Sequence, residues 1–320
     1  MQVETTPVRF GTGLVGGSGS AGDPAVYYDV VAPLEPTAKP PVVLLHGGTQ
    51  TGNCFLRTAD GRPGWAFAFA RNGYRAILPD WPGSGRSGAV PYDALDGAAV
   101  CRGIGAVLES LGAPAILLTH SMSGAYGWRL VETHGGRIAR VVAIAPGPPG
   151  NIQAEPQVVA ETDDEIEVQA LALRHRLSKR LPHRAPMSFV EKKIVGDGGR
   201  FPRAGVATMA AAMGTIAPRL IYERLNIRGA QLKVQRFENF RGKPILVLTG
   251  THDIDHPRTL DEGTAAWLKT QGAAAEFVYL GDLGIVGNGH MMMMEDNSDA
   301  LAGLVIDWLE DRRRALRKAS

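Results

Sequence analysis

The chain has 320 residues, 44% apolar and 21% charged, a balance that allows one large α/β core with an insertion. A net charge of +2 is too small to make nucleic acid or an anionic membrane the main partner, and no apolar run approaches the roughly 18–20 residues of a spanning helix. Two cysteines, Cys54 and Cys101, lack CxxC spacing, and the start Met-Gln-Val-Glu-Thr-Thr-Pro lacks a basic stretch followed by an apolar one. A reducing, cytoplasmic setting without a signal peptide is therefore expected.

Two strand-like runs open the chain, the second at Ala25–Val31, before the proline-rich residues 32–41. Val42-Val43-Leu44-Leu45 is short and wholly apolar, as a parallel strand buried on both faces should be, and it ends at His46-Gly47-Gly48. Helical spacing follows at Trp65–Arg71, then a strand at Arg75–Leu78 and a helix within Leu95–Leu111. Ile116-Leu117-Leu118 predicts the next buried strand, Ser123–His134 a helix and Ile138–Ile144 a further strand. This alternation predicts a doubly wound, mostly parallel sheet. It breaks at residues 151–235, which are more polar and mostly helical in pattern. They are expected to form a helical cap between a first core part, 1–150, and a second, 236–320. The alternation resumes with a strand at Pro244–Leu248, a helix at Thr259–Thr270, a strand at Glu276–Leu280 and a last helix through Trp308. The basic end (Arg312, Arg313, Arg314, Arg317, Lys318) reads as the solvated tail of that helix, where positive charge suits the dipole.

The strongest chemical signal is Leu117-Leu118-Thr119-His120-Ser121-Met122-Ser123-Gly124. It fits the pattern small-x-Ser-x-small between a strand and a helix, a strained turn that exposes the serine hydroxyl. Thr119 is bulkier than the usual glycine. The Met122 N–H and the start of the following helix would face developing negative charge. A serine hydroxyl needs a base, and His290 stands in Val286-Gly287-Asn288-Gly289-His290, after the last strand and before the last helix. His46-Gly47-Gly48-Thr49, after the first buried strand, offers the Gly48 N–H as a second oxyanion donor. The acid is expected in Thr249-Gly250-Thr251-His252-Asp253-Ile254-Asp255-His256, with Asp253 first and Asp255 in reserve. The same stretch contains metal-ligand residue types, but no second cluster supplies the remaining ligands. Pro82–Gly88 is glycine-rich, yet it lacks the Gly-Lys-Ser/Thr ending of a phosphate loop.

With these residues in view, the chain resembles the α/β-hydrolase superfamily, and more narrowly the bacterial esterase 713-like group. The likeness rests on Val42–Gly52 running into Asp60-Gly61-Arg62-Pro63-Gly64-Trp65, on Leu78–Ser87, and on Gly284–Met293. It implies carboxylester hydrolysis through an acyl-enzyme, with Ser121 as nucleophile, His290 as base and the Gly48 and Met122 amides as oxyanion hole. The resemblance also implies a Glu at the end of the strand after the nucleophile helix, where this chain has Ile144-Ala145-Pro146-Gly147. Either the acid has moved to Asp253 or the triad is incomplete. Adjacent cysteines occur in the oxyanion loop of some relatives; here Gly48 and Thr49 exclude a vicinal disulfide.

Trp81 and Met291 are expected at the substrate pocket, with part of the Met291–Met294 run in ordinary core packing. No cofactor or metal is expected. The expected partner is a small-molecule ester, with no nucleic acid and no membrane, and the chain is expected to be able to form a homodimer. Two rival readings stay open. The same fold can cleave C–C or amide bonds or transfer acyl groups, or the chain can be a binding protein that lost turnover with the acid missing at Ala145.

Overall fold

The computed structural model describes residues 7–17, 23–171 and 173–312. Residues 313–320 of the basic tail lie outside the described residues. The chain opens with β1 (Val8–Val15) and β2 (Val26–Pro33), followed by β3 (Val42–Leu45). Helices α1 (Asn53–Leu56) and α2 (Trp65–Arg71) precede β4 (Ala76–Pro79). Next come α3 (Gly97–Ser110), β5 (Ala115–His120), α4 (Ser123–His134) and β6 (Ile138–Ile144).

After the insertion described below, the core closes with β12 (Pro244–Thr249), α8 (Arg258–Thr270), β13 (Ala274–Tyr279) and α9 (Ser298–Leu309). Eight strands form one sheet in the order β1-β2-β4-β3-β5-β6-β12-β13. β1 and β2 enter antiparallel, and every other pairing from β4 to β13 is parallel.

The sheet is buried on both faces, which is why its central strands read as unbroken apolar runs. Val42 and Leu44 of β3 face α2 and α9, whereas Val43 and Leu45 face α3, α4 and α8. Cys54 and Cys101 are free and buried, one on each side of the sheet. Burying each Leu or Val contributes roughly 1.5–3 kcal/mol, so this double-sided core is the stable platform of the molecule.

The segment between β6 and β12 is not the mostly helical cap expected for residues 151–235. A three-stranded antiparallel sheet, β7 (Gln157–Glu161), β8 (Glu165–Ala170) and β9 (Leu173–Ser178), comes first. β10 (His183–Arg184) then pairs with β11 (Thr215–Ile216). Between them lie α5 (Met187–Phe189), which runs into a π-helical turn at Val190–Val195, and α6 (Val206–Ala212); α7 (Pro218–Arg224) follows β11. The reason lies in Glu165-Ile166-Glu167-Val168-Gln169, whose period of two places Ile166 and Val168 on one face. Those two pack with Leu177, Leu225 and Ile227 into a small separate core. On the other face Glu165 and Glu167 pair with Arg176 and Arg174 of β9. The charges of this stretch belong to the exposed side of a sheet.

Candidate active site

Ser121 follows β5 directly and adopts φ +55°, the left-handed region that a non-glycine residue enters at a cost of about 1–3 kcal/mol. Three backbone hydrogen bonds hold it there. Its N–H donates to the Ile144 carbonyl at 3.0 Å, and its carbonyl accepts from Gly124 at 2.8 Å and Gly147 at 2.7 Å. The Ser123 hydroxyl accepts from the His120 N–H at 3.0 Å and lies 2.9 Å from the Leu45 carbonyl, tying the turn to β3. The bulk of Thr119 is accommodated on α4, because a Cβ on Gly127 would lie 2.8 Å from the Thr119 methyl.

His290 Nε2 lies 2.9 Å from Ser121 Oγ, and His290 Nδ1 lies 2.7 Å from Asp253 Oδ2. The Asp253 Oδ1 accepts from the N–H groups of Asp255 and His256 at 3.0 and 3.2 Å. Burial would raise the Asp253 carboxyl, but the charge and hydrogen bond of His290 outweigh it and hold Asp253 well below the usual carboxylate range. Burial pushes His290 below its ordinary value, with Asp253 pulling the other way. At neutral pH the imidazole is thus uncharged, its Nδ1–H given to Asp253 and its Nε2 lone pair turned to the serine hydroxyl.

Two of the sequence stretches that carry the resemblance meet at the loop bearing His290. Glu295 accepts from the Gly289 N–H at 2.7 Å and from the Asn288 amide at 2.5 Å. Burial pushes its carboxyl up to about 7. Arg62 donates to the Glu295 carbonyl at 2.8 Å, and the Trp65 indole donates to the Ser298 carbonyl at 3.0 Å. The Asp-Gly-Arg-Pro-Gly-Trp segment therefore clamps the histidine loop. His120 adds a second tie, its Nε2 2.9 Å from the His290 carbonyl.

The four candidate side chains of the His252–His256 stretch go to different partners. Asp253 meets His290, Asp255 meets Lys193 and Arg224, His256 meets Asp261 at 3.0 Å and, through its other nitrogen, Arg224 at 3.3 Å, and His252 meets Thr251. Among the described residues no three His, Cys, Asp or Glu side chains are grouped as metal ligands would be. Ala145, where the resemblance implies Glu, is fully buried at the end of β6, its N–H bonded to Leu248. An acid reaches His290 from the loop after β12 instead.

Gly48 and Met122 face each other across the site: a Cβ on Gly48 would lie 2.6 Å from the Met122 sulfur. Among the described hydrogen bonds neither N–H is spent on a protein acceptor. Trp81 is not on the pocket wall, contrary to expectation. Its ring stacks on His46 at 4.5 Å, and its backbone N–H donates to His46 Nε2 at 3.2 Å. It braces the Gly47–Gly48 loop from behind, because His46 is an internal strut: burial lowers its pKa to about 4 and keeps it neutral. The Pro82–Gly88 loop is also structural. It wraps Asp80, which accepts from the N–H groups of Gly52 and Arg86 and from the Arg86 side chain.

Ser121, His290, Gly48, Met122 and Met291 line one cavity of about 60 Å³. The cap supplies the opposite wall through Phe189, which is among the apolar cap residues expected to close over the site, and through His175, His183, Lys193 and Arg224, which sequence reasoning did not single out. Gln50, two residues past Gly48, lines it too. His175 carried a readable signal, since it shares the inward face of β9 with Leu177; the others come together only in three dimensions. A larger cleft of about 770 Å³ lies outside the cap and shares His175, His183 and Phe189 with the inner cavity.

The family model described as "Alpha/beta hydrolase family" matches residues 42–304. A fungal protein named "Probable secreted lipase phiG" (Fungal sp. strain ATCC 74256) is 25% identical over 89% of this chain and 85% of its own length. A 2-hydroxy-6-oxo-6-phenylhexa-2,4-dienoate hydrolase of Burkholderia cepacia is 32% identical over 33% of this chain and 36% of its own. Among solved structures, a novel bacterial esterase superposes with TM-score 0.59 at 17% identity, covering 95% of this chain and 97% of that one. An epoxide hydrolase of Vigna radiata reaches 0.61 at 16% identity, covering 97% and 100%. These structural likenesses speak for the fold alone. The word "secreted" in the fungal name gives the cytoplasmic expectation no support; among the described residues no helix is long and apolar enough to cross a membrane.

Proposed function

Since the chain belongs to the alpha/beta hydrolase family, we propose that it is a serine esterase working through an acyl-enzyme on Ser121. One observation carries this reading: Ser121 Oγ, the His290 ring and the Asp253 carboxylate form one buried relay with contacts of 2.9 and 2.7 Å. Ser121 Oγ attacks the ester carbonyl carbon while His290 Nε2 takes the hydroxyl proton. The carbonyl oxygen becomes an oxyanion beside the Gly48 and Met122 N–H groups. Collapse breaks the C–O bond, and His290 returns the proton to the leaving alcohol. A water then attacks the acyl carbon, giving its proton to His290, which passes it to Ser121 Oγ as the acid leaves. Asp253 keeps the imidazole in the Nδ1–H tautomer and stabilises its cation, staying ionised throughout.

The test is steady-state hydrolysis of short p-nitrophenyl esters by the wild type and Ser121→Ala. The expected loss of kcat is about 10⁶-fold. A variant that retains turnover within tenfold contradicts the reading. A second reading, hydrolysis of a C–C bond, is favoured by the 113-residue likeness to the dienoate hydrolase. It predicts carbon–carbon cleavage products from a vinylogous diketone acid and none from simple esters.

A further inference from the structure

The inner cavity has an imbalance that a plain alkyl ester does not answer. Its walls carry two permanent cations, Lys193 and Arg224, and no carboxylate. Both side chains are only 10% exposed. The carboxylate they meet, Asp255, comes from the loop behind the triad and uses a single oxygen, Oδ2, for Lys193 Nζ and for Arg224 Nη2 at 3.0 Å. Asp253 and Asp261 are also near, but their oxygens serve other donors: His290 and two amides for Asp253, His256 and Thr249 for Asp261. Arg224 has five N–H donors and Lys193 three; Asp255 Oδ2 takes one from each and His256 Nε2, 3.3 Å from Arg224 Nη2, takes one more, so most of them have no protein acceptor among the described hydrogen bonds. The buried Asp253 and Asp255 carboxylates balance the two cations in charge, but charged N–H donors held away from bulk water are costly to leave without an acceptor.

Neutral polar groups lining the same cavity point the same way. The Nε2 of Gln50 is buried without a partner, and Gln50 is 5% exposed at the cavity beside the Gly48 loop. The Nε2 of His175 is likewise buried and unpartnered. Burial lowers the His175 pKa to about 4, so His175 offers a hydrogen bond without a further charge. A buried polar group left unmet is destabilising, and a substrate oxygen that meets it recovers that loss on binding.

We propose that the site takes a short ester carrying a free carboxylate, seated between Lys193 and Arg224, with Gln50 and His175 meeting its remaining oxygens. This rests on the reading of Ser121 as the nucleophile. The cavity of about 60 Å³ suits a small acid, and the outer cleft beyond His175, His183 and Phe189 has room for a longer leaving alcohol.

The experiment compares monoethyl succinate with ethyl levulinate, its neutral near-isostere, by kcat/KM at pH 7. The wild type is expected to prefer the succinate by about tenfold or more, the worth of one charge-assisted contact. In Arg224→Gln and in Lys193→Met that ratio is expected to fall to about one or below. A wild-type preference for the neutral ester, or a ratio that neither variant moves, overturns the proposal. Because both cations also hold Asp255, a companion assay uses wild-type protein alone: free succinate should slow fluorophosphonate labelling at concentrations where succinamide, its uncharged diamide, does not, and equal potency overturns the proposal. Absence of any labelling sinks the esterase reading itself, whereas labelling without carboxylate preference sinks this inference alone.

Discussion

The two halves of the site cavity are built on different foundations. The core half, Ser121, His290, Gly48 and Met122, sits at the ends of strands buried on both faces. Every backbone turn there is tied down, Ser121 by Ile144, Gly124 and Gly147, and the histidine loop by Glu295, Arg62 and His120. The cap half is mixed: its three-stranded sheet packs on a small core of five buried side chains, whereas Val190, Ile194 and Val195 around Lys193 join the main core, and Lys193 and Arg224 meet Asp255 beside the Ser121–His290–Asp253 cluster. On the proposed function, the geometry that must hold to a fraction of an ångström falls on the core half, and the charge and shape proposed to select a substrate fall on the cap half. This division implies that core substitutions act on turnover and cap substitutions on preference.

The sharpest way to break that division is at Asp253. Asp253→Asn should lower kcat by about 10⁴-fold with the fold intact, because an amide favours the wrong imidazole tautomer. In the wild type the acid limb of kcat/KM should lie below the ordinary histidine value of 6.5, since burial disfavours the imidazolium. Asp253 raises the His290 pKa, so in the variant the limb should move to still lower pH, a shift read from the full pH–rate profile. A smaller loss, or a limb that moves upward, would assign the orienting role elsewhere.

A second test stays in the core but leaves the reacting groups alone. Gly127→Ala puts a methyl 2.8 Å from the Thr119 side chain beneath the nucleophile turn. It should cost about 1–3 kcal/mol in denaturant unfolding by overpacking. Gly136→Ala, which meets no heavy atom within 4 Å, is the control. The mildest effect is expected in the cap. Val168→Ala opens the small cap core and should change the ratio of rates on short and long esters several-fold, while the main unfolding transition moves by less than about 2 kcal/mol. If it instead abolishes turnover on all esters, the cap shares in the catalytic geometry and the division fails.

What was legible in the sequence follows the same line. The parallel strands announced themselves because double-sided burial leaves no polar residue in runs such as Val42–Leu45, and α2, α4 and β6 match their predicted bounds. Ser121 and His290 were legible because a strained strand–helix turn and a glycine-rich loop have local signatures. Asp253 was ranked ahead of Asp255 by its place after β12, but both follow that strand, and only the side-chain directions send one to His290 and the other to Lys193. The cap was misread because cross-strand Glu–Arg pairs look like a helix face when only charge is weighed and the alternation of Ile166 and Val168 is passed over. Trp81 was drawn to the pocket by its position after β4, but its ring braces His46. Lys193 and Arg224, 31 residues apart in the chain, meet only because Asp255 stands between them.

The central claim, a nucleophilic Ser121 driven by His290, is tested most directly by mapping covalent label. Wild-type protein treated with a fluorophosphonate and digested should carry the adduct on the peptide containing Ser121. Ser121→Ala should carry none, and His290→Ala should label at least about 10³-fold more slowly, since an unassisted hydroxyl is a weak nucleophile. Label on another residue, or labelling of Ser121 at an unchanged rate without His290, would contradict the account.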